Sequence, residues 1–215
     1  MRFVPAVTLL AALLSAQSKL GPSLVFVIVG PPGSGKTTQS QLLSKKYKIP
    51  SISLSDLIKA EMGKRGRLAD ALKVSVASGD LINDDAANDL VRARVLREDA
   101  GRGFILDGYP GTPAQAQFLD SFLKQSELPN PKVILLDAPD EVVTKRMLSR
   151  HRPDDKPGII EARLRDYRTE SDFLSDWYKK ENVLRVDATR PIPEVAQRID
   201  ALIQDALAKR SFSVR

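Results

Sequence analysis

The segment LVFVIVGPPGSGKTT, residues 24–38, constrains the fold more than any other stretch of the chain. Its first half is an unbroken apolar run, rich in β-branched residues and ending in glycine, which reads as a strand buried on both faces. The turn that follows has the spacing G-x-x-x-x-G-K-T from Gly30 to Thr37, and helix formers come next. Glycines let the backbone wrap around a phosphate with successive N–H groups pointing inward, and the helix N-terminus adds positive potential. Lys36 is then placed to reach the outer phosphates, and the Thr37 hydroxyl to ligate magnesium. A strand before the motif and a helix after it set it apart from a chance glycine-rich turn. The chain binds a nucleoside triphosphate or descends from one that did. The loop alone does not name a reaction.

Beyond this point strands and helices alternate. Further strands are expected at IPSISL (49–54), GFILDG (103–108), KVILLDA (132–138) and NVLRVDA (182–188). Helices are expected at 37–46, from SDLIKAEM (55–62) with Ser55 as its cap, and at 141–150, 159–180 and 192–209. Phe173, Leu174, Trp177 and Tyr178 fall on one face of the fourth of these and read as core. The alternation predicts an α/β fold, a five-stranded parallel sheet with helices on both faces. Without any cysteine, the chain has no thiol nucleophile, disulfide or thiolate-bound metal, and its one histidine excludes a site built on two imidazoles. A net charge of +6 suits a polyanionic ligand. The basic cluster KRGR (64–67) reads as a solvated face. No broad basic surface is interleaved with aromatics, so nucleic acid is not an expected partner.

Residues 1–20 differ in kind: an apolar run from Val7 to Leu14 follows Arg2, and no acidic residue occurs before Asp56. The run is too short to span a bilayer, for which about 20 residues are needed. Its layout resembles a secretory signal, with Ala16 and Ser18 as a small-x-small cleavage site, the alternative being a packed N-terminal helix. Residues 1–22 are set apart as a leader and 23–210 as the folded domain.

Phosphoryl transfer asks a protein to hold charge against the moving group in a dry site. Arg146 and Arg150 lie four apart on one helix face, Arg152 follows, and Arg163 opens the next helix, with Asp154 and Asp155 placed to hold the guanidinium groups. Together with GPPGSGK, the segments ISLSDLIK (52–59), SGDLINDD (78–85), GFILDGYP (103–110), DAPDEVVTKRMLSR (137–150), RPDD (152–155) with Arg163, Leu164 and Tyr167, and VDATRP (186–191) resemble the adenylate kinase family of nucleoside monophosphate kinases, in its order and nearly its spacing.

The resemblance implies a three-layer P-loop kinase fold with a small AMP subdomain at about 53–83 and a very short lid at about 150–157. It implies transfer of a phosphoryl group from ATP to AMP, as a cytoplasmic monomer. By it, Gly33, Ser34, Gly35, Lys36, Thr37 and Thr38 hold the ATP phosphates, Arg146 lies against the ATP adenine, and Arg190 contributes backbone contacts nearby. Lys36, Arg150, Arg152 and Arg163 are the catalytic cations, Arg152 and Arg163 reaching the AMP phosphate as well. Lys59, Leu81, Ile82 and Gly108 line the AMP site, and Gln115 reads the AMP base, an amide being able to donate and accept at once. Asp107 holds a water on Mg2+, the implied cofactor. Zinc is not expected, because the lid lacks both length and thiolates. Asp56 is expected to brace its helix, and His151 either to approach phosphate or to face solvent.

The family pattern is departed from in three respects. Gly111 stands where the family has an arginine on the AMP phosphate. Leu54 and Lys59 replace a threonine and an arginine in the AMP helix, and lysine lacks the planar fork of arginine. Only His151 separates Arg150 from Arg152, a cover short enough to exclude water poorly. The alternatives are a weakly active or non-catalytic nucleotide-binding protein and a kinase for another small acceptor.

Overall fold

The computed structural model describes residues 23–78, 82–151, 155–178 and 182–212. Strand β1 (Leu24–Val29) shows why its sequence lacks polar alternation. Val25, Val27 and Val29 face one core cluster while Phe26 and Ile28 face a second on the other side of the sheet. A strand covered on both faces needs apolar residues at every position. β3 (Gly103–Asp107) and β4 (Lys132–Asp137) repeat the division: Phe104, Leu106 and Val133 on one side, Ile105, Ile134 and Leu136 on the other. With β2 (Ser51–Ser53) and β5 (Val183–Asp187), they form a five-stranded sheet in the order β2-β3-β1-β4-β5. Every pairing is parallel, with Val25 opposite Phe104 and Ile28 opposite both Asp107 and Ile134. The expected α/β fold is the one found. Truncating a fully buried residue such as Ile134 to alanine would cost about 2–5 kcal/mol.

Helices α1 (Lys36–Tyr47), α6 (Asp140–Ser149) and α8 (Ile192–Phe212) contribute Leu43, Val143, Met147, Val195, Ile199 and Ile203 to one cluster. Helices α4 (Asp84–Val95) and α5 (Pro113–Gln125) contribute Ala87, Val91, Val95, Leu119 and Leu123 to the other. Helix α7 (Pro157–Trp177) serves both: Ile160 and Leu164 enter the first cluster, Leu174 the second. Helix α2 (Leu54–Met62) has no buried residue and packs against α3 (Arg67–Ser78), whose Ala69 and Leu72 are buried.

Three helices, α3, α4 and α5, have no counterpart among the elements expected from the sequence. Their inward faces use small residues such as Ala69, Ala87 and Ala116 and polar ones such as Asn88 and Gln115, so apolar periodicity is faint. Their caps are clearer. Asn83 Oδ1 accepts from the N–H groups of Asp85 and Ala86, and Thr112 caps α5 ahead of Pro113.

The structure corrects two local expectations. Ser53, not Ser55, caps α2: it is still extended, and its Oγ accepts the Asp56 N–H at 3.4 Å. The strand therefore ends at the cap, three residues long, and Leu54 is already helical. Trp177 is not core. It is 40 % exposed and its indole donates to Asp120, whereas Leu174 and Tyr178 are buried. The residues 1–22, with the signal-like segment, lie outside the described residues, as do Leu81, Arg152 and Asp154. Among the described residues no helix is long and apolar enough to cross a membrane.

Candidate active site

The turn between β1 and α1 is pressed against α6. At Gly33, with φ of +82°, a Cβ would come within 2.8 Å of the Val143 carbonyl oxygen, so glycine is required by both conformation and space. The Ser34 N–H donates to Pro31 O at 3.1 Å, closing the turn, and left-handed Gly35 starts the helix. The Ser34 hydroxyl is buried without a hydrogen-bond partner among the described residues. Lys36 folds back over the loop, its Nζ donating to Gly30 O at 2.7 Å and Pro31 O at 3.1 Å. Burial lowers its pKa to about 8, with the Arg150 charge adding to the fall and Asp107 opposing it.

Asp107 ends β3, and parallel pairing sets it beside Ile28 near the end of β1. There it accepts the Thr37 hydroxyl at 2.8 Å. Burial pushes its carboxyl upward, against the pull of the Thr37 hydrogen bond and the Lys36 charge. Thr38 is exposed one residue along α1.

A cavity of about 430 Å3 opens above this floor. Gly30, Pro32 and Lys36 form one wall, Gly108, Pro110 and Gly111 a second, and Arg163, Asp166 and Tyr167 of α7 a third. Residues expected to hold donor and acceptor phosphates therefore face one space. A larger groove of about 1010 Å3 runs between α6 and α7 and takes in Lys145, exposed His151 and Arg168. It holds no phosphate-loop residue, so the smaller cavity is the site.

The other expected residues divide. Arg146 donates to Ala188 O at 2.7 Å and Thr189 O at 3.1 Å, tying α6 to the turn that carries Arg190. Arg190 itself pairs with Asp187. Arg150 makes a two-pronged bond to the buried Asp155, Nε to Oδ2 at 2.6 Å and Nη2 to Oδ1 at 2.8 Å, the bracing expected of that aspartate. Ile82 packs on the sheet's second cluster. Lys59 does not line the cavity; it is exposed on α2, 3.9 Å from Asp56. Gln115 lies behind Gly111, outside the cavity lining and 5 % exposed, its Oε1 accepting the Gly111 N–H and its Nε2 donating to Asp84. Sequence reasoning missed Asp84 and Thr112, which join α4 to α5 around this amide, and Asn88, which accepts the buried Tyr109 hydroxyl at 2.6 Å. The only trace of them in the sequence is the pair of capping signals at Asn83 and Thr112.

A phosphate loop on the central strand, with Arg163 of a later helix turned on the same cavity, defines a P-loop phosphotransferase. The family model for adenylate kinase matches residues 28–183. An adenylate kinase of Rhodococcus erythropolis is 40 % identical over 80 % of this chain and 94 % of its own length. Adenylate kinase 1 of a Nostoc species is 36 % identical over 82 % of this chain and 97 % of its own. The chain belongs to the adenylate kinase family.

Proposed function

We propose that the chain transfers the γ-phosphoryl group of ATP directly to AMP, giving two molecules of ADP. The observation that carries this reading is the shared cavity, in which Lys36, Gly108, Pro110, Gly111 and Arg163 face one another. The AMP phosphate is already an anionic nucleophile at neutral pH, so no general base or covalent intermediate is needed. What remains is to align two anions and offset their charge. Lys36 leaves the Gly30 and Pro31 carbonyls for the outer phosphates of ATP, while the N–H groups of 33–38 cradle them. Arg150, oriented by Asp155, acts with Arg152 and Arg163 on the charge that develops on the moving group. The guanidinium of Arg146 and the turn at 188–190 bound the ATP adenine.

Mg2+ fits the residues present. Thr37 and Asp107 offer a hydroxyl and a carboxylate oxygen 2.8 Å apart, hard donors beside the phosphate loop. Among the described residues no group of three or more histidine, aspartate or glutamate side chains could hold a metal. When bound, Mg2+ supplies neutralising charge to the phosphate oxygens.

The same reading takes 53–83 as the AMP subdomain, with Lys59, Leu81, Ile82, Gly108 and Gln115 toward AMP, and 150–157 as a short lid. It treats the protein as a monomer and places it in the cytoplasm, where its nucleotides are abundant.

Gly111 favours a second reading, in which turnover with AMP is slow or another small acceptor is preferred. It carries no side chain, and its N–H is already taken by Gln115. A coupled assay of ATP against AMP, GMP, CMP and UMP separates the two. AMP as the fastest acceptor supports the first; no ADP from AMP, with ATP still bound, would end it.

A further inference from the structure

The Gln115 amide is gripped at both ends by groups that work in one direction only. Its Nε2 lies 2.7 Å from Asp84 Oδ1, and its Oε1 lies 2.7 Å from the Gly111 nitrogen. A carboxylate only accepts and a backbone N–H only donates. Turning the amide over would set oxygen against oxygen and N–H against N–H, so these neighbours dictate which end is which. Thr112 reinforces the arrangement. Its hydroxyl donates to the same Asp84 oxygen at 3.0 Å and accepts the Gln115 N–H at 3.2 Å, anchoring the carboxylate across the gap between α4 and α5. At 5 % exposure, Gln115 has little water to trade partners with. One N–H and one lone pair remain on the amide, in a fixed order.

That order separates the purines. The reading edge of adenine sets an amino donor beside a ring-nitrogen acceptor; guanine sets an oxygen acceptor beside a ring N–H donor. A free amide satisfies either edge by rotating half a turn. Selectivity therefore resides in whatever prevents the rotation. We propose that Asp84 is the positioning residue that sets purine preference at the acceptor site, holding Gln115 in the orientation that accepts adenine and refuses guanine. The inference rests on the reading of Gln115 as the group that meets the acceptor base.

Asp84→Asn keeps the side chain's shape but lets it donate as well as accept, so one of the two one-way grips is lost and only the Gly111 N–H still opposes turning the amide over. The ratio of kcat/KM for AMP to that for GMP should fall about tenfold or more, the scale of one hydrogen bond to a charged group. The fall should come chiefly from a lower KM for GMP. Asp84→Ala, which only removes contacts, should show the same loss of preference. Both substrates are measured on one preparation, so an incompletely folded variant lowers both rates and leaves the ratio alone. An unchanged ratio in both variants, with Gln115→Ala abolishing the preference, overturns the pinning role and leaves Gln115 as the base reader. An unchanged ratio in all three removes the base-reading assignment and the proposal with it.

Discussion

The donor and acceptor halves of the cleft are built to different standards. On the donor side almost every group is fixed. Gly33 is wedged against Val143, Lys36 is held by two carbonyls, and Arg146 is tied to Ala188 and Thr189. On the acceptor side α2 buries none of its residues, and Lys59 pairs with another exposed side chain, Asp56. The firm part of that side is the network around Asp84, Thr112 and Gln115, which holds shape and supplies no positive charge. A site can keep its geometry for a nucleobase while losing the cation for the phosphate attached to it.

The contrast is broken most directly at Lys36. Lys36→Ala should lower the transfer rate by about 10³-fold or more, since the position combines a compact cation with the centre of the loop. A rate within tenfold of wild type would mean that the loop does not hold the transferring group. Next comes Arg163, which lines the shared cavity: Arg163→Ala should cost about 10²-fold in kcat, with the melting temperature little changed.

Gly111→Arg sharpens the comparison from the other side. The Gly111 φ lies outside the left-handed region, and a Cβ there meets only Gln115 Oε1, at 3.7 Å. Backbone geometry thus admits a side chain. The variant should raise kcat/KM for AMP by about tenfold or more and leave ATP affinity unchanged, as read from initial rates with AMP varied at saturating ATP. No gain in a folded variant would show that the acceptor phosphate already has its full complement of charge.

The smallest effect is protonic. In the ligand-free fold the Lys36 pKa stands at about 8 against an ordinary 10.5. Between those values the unfolded chain binds more protons, so this residue makes folding stability rise with pH, a slope that Lys36→Met should remove from melting curves. Triphosphate beside the ammonium favours its charged form, so ATP binding at pH 8–9 should take up a proton. Calorimetry in buffers of differing ionisation enthalpy measures that uptake; release instead of uptake would contradict the placement of Lys36.

What the sequence made legible follows the same division. The strand-loop-helix at 24–47, the buried strands and the Arg150–Asp155 partnership all follow from strict local chemistry: apolar runs, fixed glycines, charges at helical spacing. Helices α3 to α5 were not legible, because alanines and buried amides on their inner faces give no apolar stripe. Nor was the hold on Gln115, which joins residues 31 apart in the chain through an aspartate that looks, in sequence, like an ordinary first-turn acid. In sequence Ser53 reads as strand alone; it does end the strand, and what that reading misses is that its side chain also caps the helix.

Strand β1 lies mid-sheet, and the chain visits the β3 flank completely before crossing to the β4 flank. Connections above the end of β1 therefore part in opposite directions, opening the crevice in which such sheets take ligands. Lys59, Ile82, Gly108 and Gln115 all arise from the first flank, Arg146 and Arg190 from the second. In the proposed assignment the acceptor-base side and the ATP-base side thus come from opposite flanks, with Arg163 of the second flank shared between them. Substitutions such as those at 59 and 111 can accumulate on one flank without disturbing the other, and the fold can inherit a new recipient while its fuel stays the same.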